Sequence, residues 1–209
     1  MYKVGTGTLT LGGVNNYSRH TEISNGVLRV IGAGTVGNTN DTGNIVFAGG
    51  TLAFGDGDET PAFTNYAARI KNSTIAPISI DTGSSTIVWD TALDSSNTGG
   101  LTKKGSGTLT LSAGAGYSGA TRVEAGALVF GAAFDASSTT IVADDLAAAA
   151  QNDYMLAATS FANQSKPTLA TTDPQSGRYR LVRKTVTIGG VDYVAYGIER
   201  RGGFVLIIQ

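Results

Sequence analysis

Residues 103–130 repeat residues 3–30 at an ungapped offset of 100 positions, and the repeated unit is too short to fold alone. Twelve of the 28 aligned positions are identical: Lys3, Gly5, Gly7, Thr8, Leu9, Thr10, Leu11, Tyr17, Ser18, Thr21, Gly26 and Leu28. In the second copy, apolar and polar residues alternate through Leu109 and Leu111. The alternation breaks at a Gly/Ala/Ser run and resumes at Val123, Leu128 and Phe130. A Gly-x-Leu-x-apolar rung occurs at Gly26–Val30, Gly50–Phe54 and Gly126–Phe130. Period-two alternation over a few residues marks a short strand with one buried side. None of these clusters could bury its own apolar side, so stacking is the natural solution. Each strand then lies about 4.8 Å from its equivalent in the next coil. Inward Leu, Ile, Val and Phe form one long core, outward Thr and Ser form polar ladders, and glycine turns the corners.

This reasoning predicts an all-β solenoid of short stacked strands, with a sandwich of short strands as the competing architecture. Residues 1–209 are expected to form a single domain, with repeats over 1–131 and an end and cap over 132–209. Two units, Thr8–Leu11 and Thr21–Val30, open the chain, and Ile45–Phe54, 69–80 and 86–93 follow. After residue 131 the texture changes. Asp144-Asp145 ahead of an alanine run predicts a short capped helix reaching Gln151. Pro167 and Asp173-Pro174 mark loops. Tyr179–Ile188, Gly189-Gly190 and Val191–Ile198 predict a hairpin, with Phe204–Ile208 as a closing strand.

Composition narrows the function classes. Net charge is -1 and charged residues make up 15%, so no global field favours nucleic acid or an anionic membrane. Cysteine is absent, which removes disulfides, thiolate catalysis and cysteine metal sites. No run reaches the roughly 18 apolar residues that would span a bilayer as a helix. Met1 leads directly into repeat sequence without a leader, so a segment of a longer polypeptide is expected.

The string Gly99-Gly100-Leu101-Thr102-Lys103-Lys104-Gly105-Ser106-Gly107-Thr108-Leu109-Thr110-Leu111, followed by Tyr117–Thr121, Val123 and Ala125–Leu128, resembles the autotransporter passenger-associated β-strand repeat. Residues 5–30 are a looser copy, with Arg19-His20 where the family usually has Gly. Gly50–Ile87 resembles the segment that joins two such repeats. The resemblance covers roughly residues 3–131 and implies a right-handed β-helix in a secreted or surface-displayed bacterial protein. It is specific for architecture and nearly silent on chemistry.

Several motifs carry possible chemistry. Gly32-Ala33-Gly34-Thr35-Val36-Gly37 spells a dinucleotide fingerprint, but a helix must open at its third glycine. Asn38–Asn44 are poor helix formers, so turn glycines are the reading here. Asp-Thr-Gly occurs twice, at Asp41–Gly43 and Asp81–Gly83, and Ile78–Trp89 looks like the catalytic loop of pepsin-like aspartic proteases. That chemistry requires two carboxylates about 3 Å apart sharing one proton. Asp81 and Asp41 are the candidate catalytic pair; as a plain turn, Asp81 would have a structural role only. Their 40-residue separation matches neither the two-lobed nor the dimeric plan of such enzymes. Two coils of a solenoid would place them about 10 Å apart. His20 is the only histidine, and Ala120 takes its place in the second copy. Asp56-Gly57-Asp58-Glu59 could offer oxygen ligands to Ca²⁺ but matches no complete loop signature. Arg178, Arg180, Arg183, Lys184, Arg200 and Arg201 hold six of the 15 basic residues within the last 32. On a shared face they could bind anionic glycans. Trp89, Tyr17 and Tyr117 read as packing residues.

The expectation is a display, adhesion or scaffolding segment outside the cell or at the bacterial surface, outer-membrane associated in its parent, with a host glycan or glycoprotein as partner. No cofactor, metal, nucleic acid or membrane insertion is expected. The rival is an aspartic-type endopeptidase acting on a protein or mucin-like glycoprotein. An open N-terminal rung could also pair edge to edge with another copy.

Overall fold

A computed structural model describes residues 1–38, 43–55, 64–143, 146–152 and 154–201. Asp41, Asp56–Glu59 and Phe204–Ile208 fall outside the described residues. The first half contributes β1 (Tyr2–Lys3), β2 (Thr8–Leu11), β3 (Thr21–Ile23), β4 (Val27–Val30), β5 (Ile45–Phe47) and β6 (Thr51–Phe54). Next come β7 (Ile78–Asp81), β8 (Thr86–Trp89), β9 (Leu101–Lys104), β10 (Thr108–Leu111), β11 (Thr121–Val123) and β12 (Ala127–Phe134). The chain continues through β13 (Thr139–Val142), α1 (Leu146–Ala149), β14 (Leu156–Phe161), β15 (Thr168–Ala170), β16 (Tyr179–Ile188) and β17 (Val191–Arg200).

Strands stack in parallel into a β-solenoid with three faces. The first holds β1, β3 and β5 and continues through a bridge from Ile45 to Ile70. The second is an eight-stranded ladder in the order β15-β13-β11-β9-β7-β6-β4-β2. The third runs β8, β10, β12, β14 and then turns antiparallel into β17 and β16. Parallel pairing excludes the sandwich, whose sheets are antiparallel. The solenoid is as the repeats predict.

The apolar alternation explains which side is buried. On the second face Leu28, Leu52, Ile80, Val123 and Ile141 form one inward column, each fully buried. On the third, Ile87, Leu109, Leu128 and Leu156 do the same. Successive residues of the second-face column are 18 to 28 positions apart, so coil length varies and no strict short period shows in the sequence. The long offset is the regular one. β9 is the counterpart of β1, yet β1 lies on the first face and β9 on the second. An offset of 100 residues therefore carries the chain through four coils and one further face.

The corners depart from the simple polar-out rule. Thr21, Thr121 and Thr139 point inward and are buried, each opening a strand at a corner. At the C-terminal end, Gly189 and Gly190 take φ of +58° and +83°, the left-handed pair that a two-residue hairpin requires. The hairpin forms as expected, its second strand running on to Arg200. α1 spans only Leu146–Ala149, and the amide of Leu146 is held by Asp173 Oδ2 at 3.0 Å, from a loop 27 residues later.

Candidate functional site

The most unusual group in the molecule lies in the middle of an aliphatic column. Lys103 pairs in register with Ile80 on one side and Val123 on the other, and it is 0% exposed. Its ammonium donates to the carbonyls of Lys104 at 2.7 Å, Gly105 at 2.8 Å and Ala125 at 3.2 Å. Lys3 makes the equivalent bonds to Val4, Gly5 and Asn25, each 2.9 Å. Each lysine so ties the corner of its own coil to the corner of the next. An ammonium has three donors, and all are used. No N–H remains for a ligand. Burial pushes the Lys103 ammonium down from 10.5 to about 7, and the nearby Asp81 charge acts in the opposite direction. The next corner must come very close: a Cβ at Gly126, whose φ is +62°, would collide with the carbonyl oxygens of Gly107 and Gly105. Glycine is the only residue that fits.

Further polar groups brace corners within a coil and between coils. Tyr117 Oη lies 2.7 Å from Thr121 Oγ1, and Tyr17 Oη 3.1 Å from Thr21 Oγ1. Burial pushes the Tyr117 phenol up, and Tyr66 up to about 12. Asn97, fully buried, accepts from the Ser73 amide and donates to the carbonyls of Ile70 and Asp94. Ser73 Oγ in turn accepts from the Phe47 amide at 3.0 Å.

Asp81 ends β7 at the corner leading to β8. Its Oδ1 accepts from the Gly83 amide at 2.8 Å, Gly83 has φ of +56°, and the Thr82 amide donates to Lys104 O. This is an Asx-type turn closed by the Asp81–Gly83 hydrogen bond and tied to the next coil through Lys104 O. Asp41 is not among the described residues. Asn38 and Gly43 flank that stretch, and the Arg69 guanidinium binds both their carbonyls at the corner before β5. Gly32–Gly37 also form a corner, where the Gly34 amide donates to Ile31 O and the described residues through Asn38 are not helical. Trp89 is buried, its indole N–H donating to Thr64 O at 2.7 Å. His20 lies on the surface, 3.2 Å from Tyr2 Oη. Among the described residues no cluster of His, Asp or Glu could hold a metal ion. A shallow recess of about 390 Å³ opens between successive coils, where Tyr117, Ser118, Phe134, Asp135 and Ser138 line it.

The repeated stretches have counterparts in known sequences. The passenger-associated-transport-repeat family matches residues 1–30 and 101–130, the two stretches that carry the lysine corners. This chain carries two passenger-associated transport repeats. It is also 34% identical over 135 residues, 60% of its length, to "Adhesin BmaC autotransporter" of Brucella suis biovar 1 (strain 1330). The chain spans 4% of the length of that relative. No solved structure matches.

Within the transport repeats, reading from sequence alone missed Lys3 and Lys103, although both appear in the identity between the copies. Lysine reads as a surface residue, and only the register with Ile80 and Val123 reveals the inward position. The C-terminal basic residues do not form one face. Arg180 and Lys184 lie on the opposite side of β16 from Arg183, and Arg180 sits 3.9 Å from Glu199.

Proposed function

We propose that the chain is a rod segment of a surface adhesin passenger, displayed outside the cell with its parent associated with the outer membrane. The observation that carries this reading is the division of labour within the repeats. Of the residues shared by the two copies, Lys3, Tyr17, Thr21, Gly26 and Leu28 close corners or fill the core. Among the positions that differ, Glu22 against Arg122 and Arg19 against Gly119 lie toward solvent. Such a scaffold keeps its corners and an apolar interior, with Ile23 and Val30 exchanged for Val123 and Phe130, while charge changes at its surface, which suits display. The similarity to an autotransporter adhesin supports it.

A host glycan or glycoprotein is the ligand class we extend this to. Favouring it is the recess lined by Tyr117, Phe134 and Asp135, which combines a carboxylate and hydroxyls with two aromatic residues. The experiment is adherence of bacteria displaying this segment to host cells, with a glycan array read in parallel. Adherence above a bare-transporter control is expected; none would sink the adhesin reading. Array binding that persists in Asp135→Ala would move the glycan away from the recess. The competing peptidase reading rests on the two Asp-Thr-Gly strings and stands if pepstatin-sensitive cleavage at acid pH is lost in Asp81→Asn.

A further inference from the structure

A lysine on the outer side of a sheet normally extends its charge into water, and Lys104 does not. Half-buried at the end of β9, it crosses β7 and brings its ammonium 3.5 Å from Thr51 Oγ1 on β6. The strand on the other side of β6 is β4, where Arg29 pairs in register with Ala53. Leu28 and Leu52 fill the core, so Arg29 shares the outer side with Thr51 and Ala53. Two cations therefore converge above β6. Arg29 Nε is buried without a hydrogen-bond partner, and neither cation makes an ion pair among the described residues. The carboxylates beside Lys104 are engaged elsewhere. Asp81 Oδ1 accepts from the Gly83 amide, and Glu124 Oε1 accepts from Arg122 Nε at 2.7 Å. Thr51 Oγ1 and Ser79 Oγ lie 3.0 Å apart, both residues buried. With Lys104 donating to Thr51, the Thr51 hydroxyl donates to Ser79, and the Ser79 O–H is left for a ligand. Neither cation belongs to the repeat: Val129 replaces Arg29 in the second copy, and Val4 replaces Lys104 in the first.

We propose that Arg29, Lys104 and Ser79 form a binding site for one sulfate-type oxyanion on the outer side of the second face. Like charges brought together repel, and an anion held between them turns that repulsion into attraction. The donors come from three strands, β4, β9 and β7, which suits a tetrahedral group better than a planar carboxylate. The guanidinium offers a forked contact to two oxygens, with Nε gaining the acceptor it lacks. Asp81 tempers the positive charge but leaves an excess of one. A sulfate group has two sources, the free ion and the sulfate ester of a polysaccharide. The site shares no residue with the recess at Tyr117 and does not rest on the adhesin reading.

The test titrates the isotope-labelled full chain with sodium sulfate, against sodium chloride at equal ionic strength, and follows amide NMR shifts. Saturable shifts at Arg29, Thr51 and Ser79 with sulfate alone are expected. Arg29→Gln and Lys104→Gln should each weaken binding about tenfold. Unchanged Trp89 emission in both variants shows that they fold. Arg183→Gln, on the hairpin, should bind as the wild type does; an equal loss there would mark a diffuse charge effect and overturn the site. A heparin-derived tetrasaccharide and its desulfated form separate the two sources. Tighter binding of the sulfated form at the same amides supports the site and assigns the polysaccharide, while binding of the ion only supports it and assigns free sulfate. No saturable shift at these amides, or shifts unchanged in both variants, overturns the proposal.

Discussion

Lys3 and Lys103 lie 100 residues apart on different faces of the solenoid, and each ammonium reaches the carbonyl 22 residues further along, Asn25 in one case and Ala125 in the other. The clamp moves with the repeat as the repeat turns around the solenoid axis. Replacing Lys103 by Met keeps the volume and takes the ammonium away from the Gly105 and Ala125 carbonyls, while Lys104 O keeps the Thr82 amide. Leaving buried polar groups unsatisfied costs about 1–3 kcal/mol. Lys103→Met should lose that amount in urea unfolding followed by Trp89 emission. Lys3→Met, on the open coil, should lose less.

The same lysine sets a pH dependence. Its folded value of about 7 lies below its ordinary 10.5, so between these values the unfolded chain binds the extra proton. Stability should therefore rise with pH through that window, with a slope of up to about 1.4 kcal/mol per unit, and the burial cost should be fully felt below it. Comparing unfolding midpoints at pH 7 and pH 9 checks this. The wild type should gain, Lys103→Met should be flat, and a rise retained in Lys103→Met would assign the effect elsewhere.

Two left-handed glycines separate conformational strain from collision. Gly126 would meet backbone oxygens with its new Cβ, while Gly189 has open space around it. Gly189→Ala should cost about 1 kcal/mol, from the left-handed conformation alone. Gly126→Ala should exceed that by 2 kcal/mol or more, since overpacking adds about 1–3 kcal/mol. Equal losses in thermal melts would show that the corner relaxes.

Asn97 serves three backbone groups, those of Ser73 and Ile70 in the preceding coil and that of Asp94 in its own. Asn97→Ala should destabilise by about 2–4 kcal/mol and Asn97→Asp by a similar amount, because a carboxylate cannot donate to Ile70 and Asp94. Chemical denaturation read by Trp89 emission is the measurement.

Asp81 holds its turn through one accepted hydrogen bond. Asp81→Asn keeps an acceptor and should stay within about 0.5 kcal/mol of wild type, whereas Asp81→Ala should cost about 1 kcal/mol. If Asp81→Asn is as damaging as Asp81→Ala, the charge itself is needed, and its influence on Lys103 becomes the explanation to pursue.

Much of the fold was legible because stacking is a local rule applied repeatedly. Leu109, Leu111, Val123 and Leu128 were assigned to the core by alternation, and all four are buried. Gly189-Gly190 identified the hairpin because a two-residue turn admits few other pairs. The inward threonines and lysines were not legible, since their polarity argues for solvent and the partners of Thr21, Thr121, Lys3 and Lys103 appear only in the folded chain. The basic cluster near the C-terminus was visible, but its division between two sides of a strand depends on pairing.

Thr8–Leu11 and Thr108–Leu111 mark the limit most clearly. The sequence by itself determined that both would be strands with leucines on one side, because alternation and β-propensity are properties of the segment. Whether those leucines are covered was decided by tertiary structure alone, since burial depends on the coil stacked alongside: β8 lies against β10, and no described strand lies on the outer edge of β2.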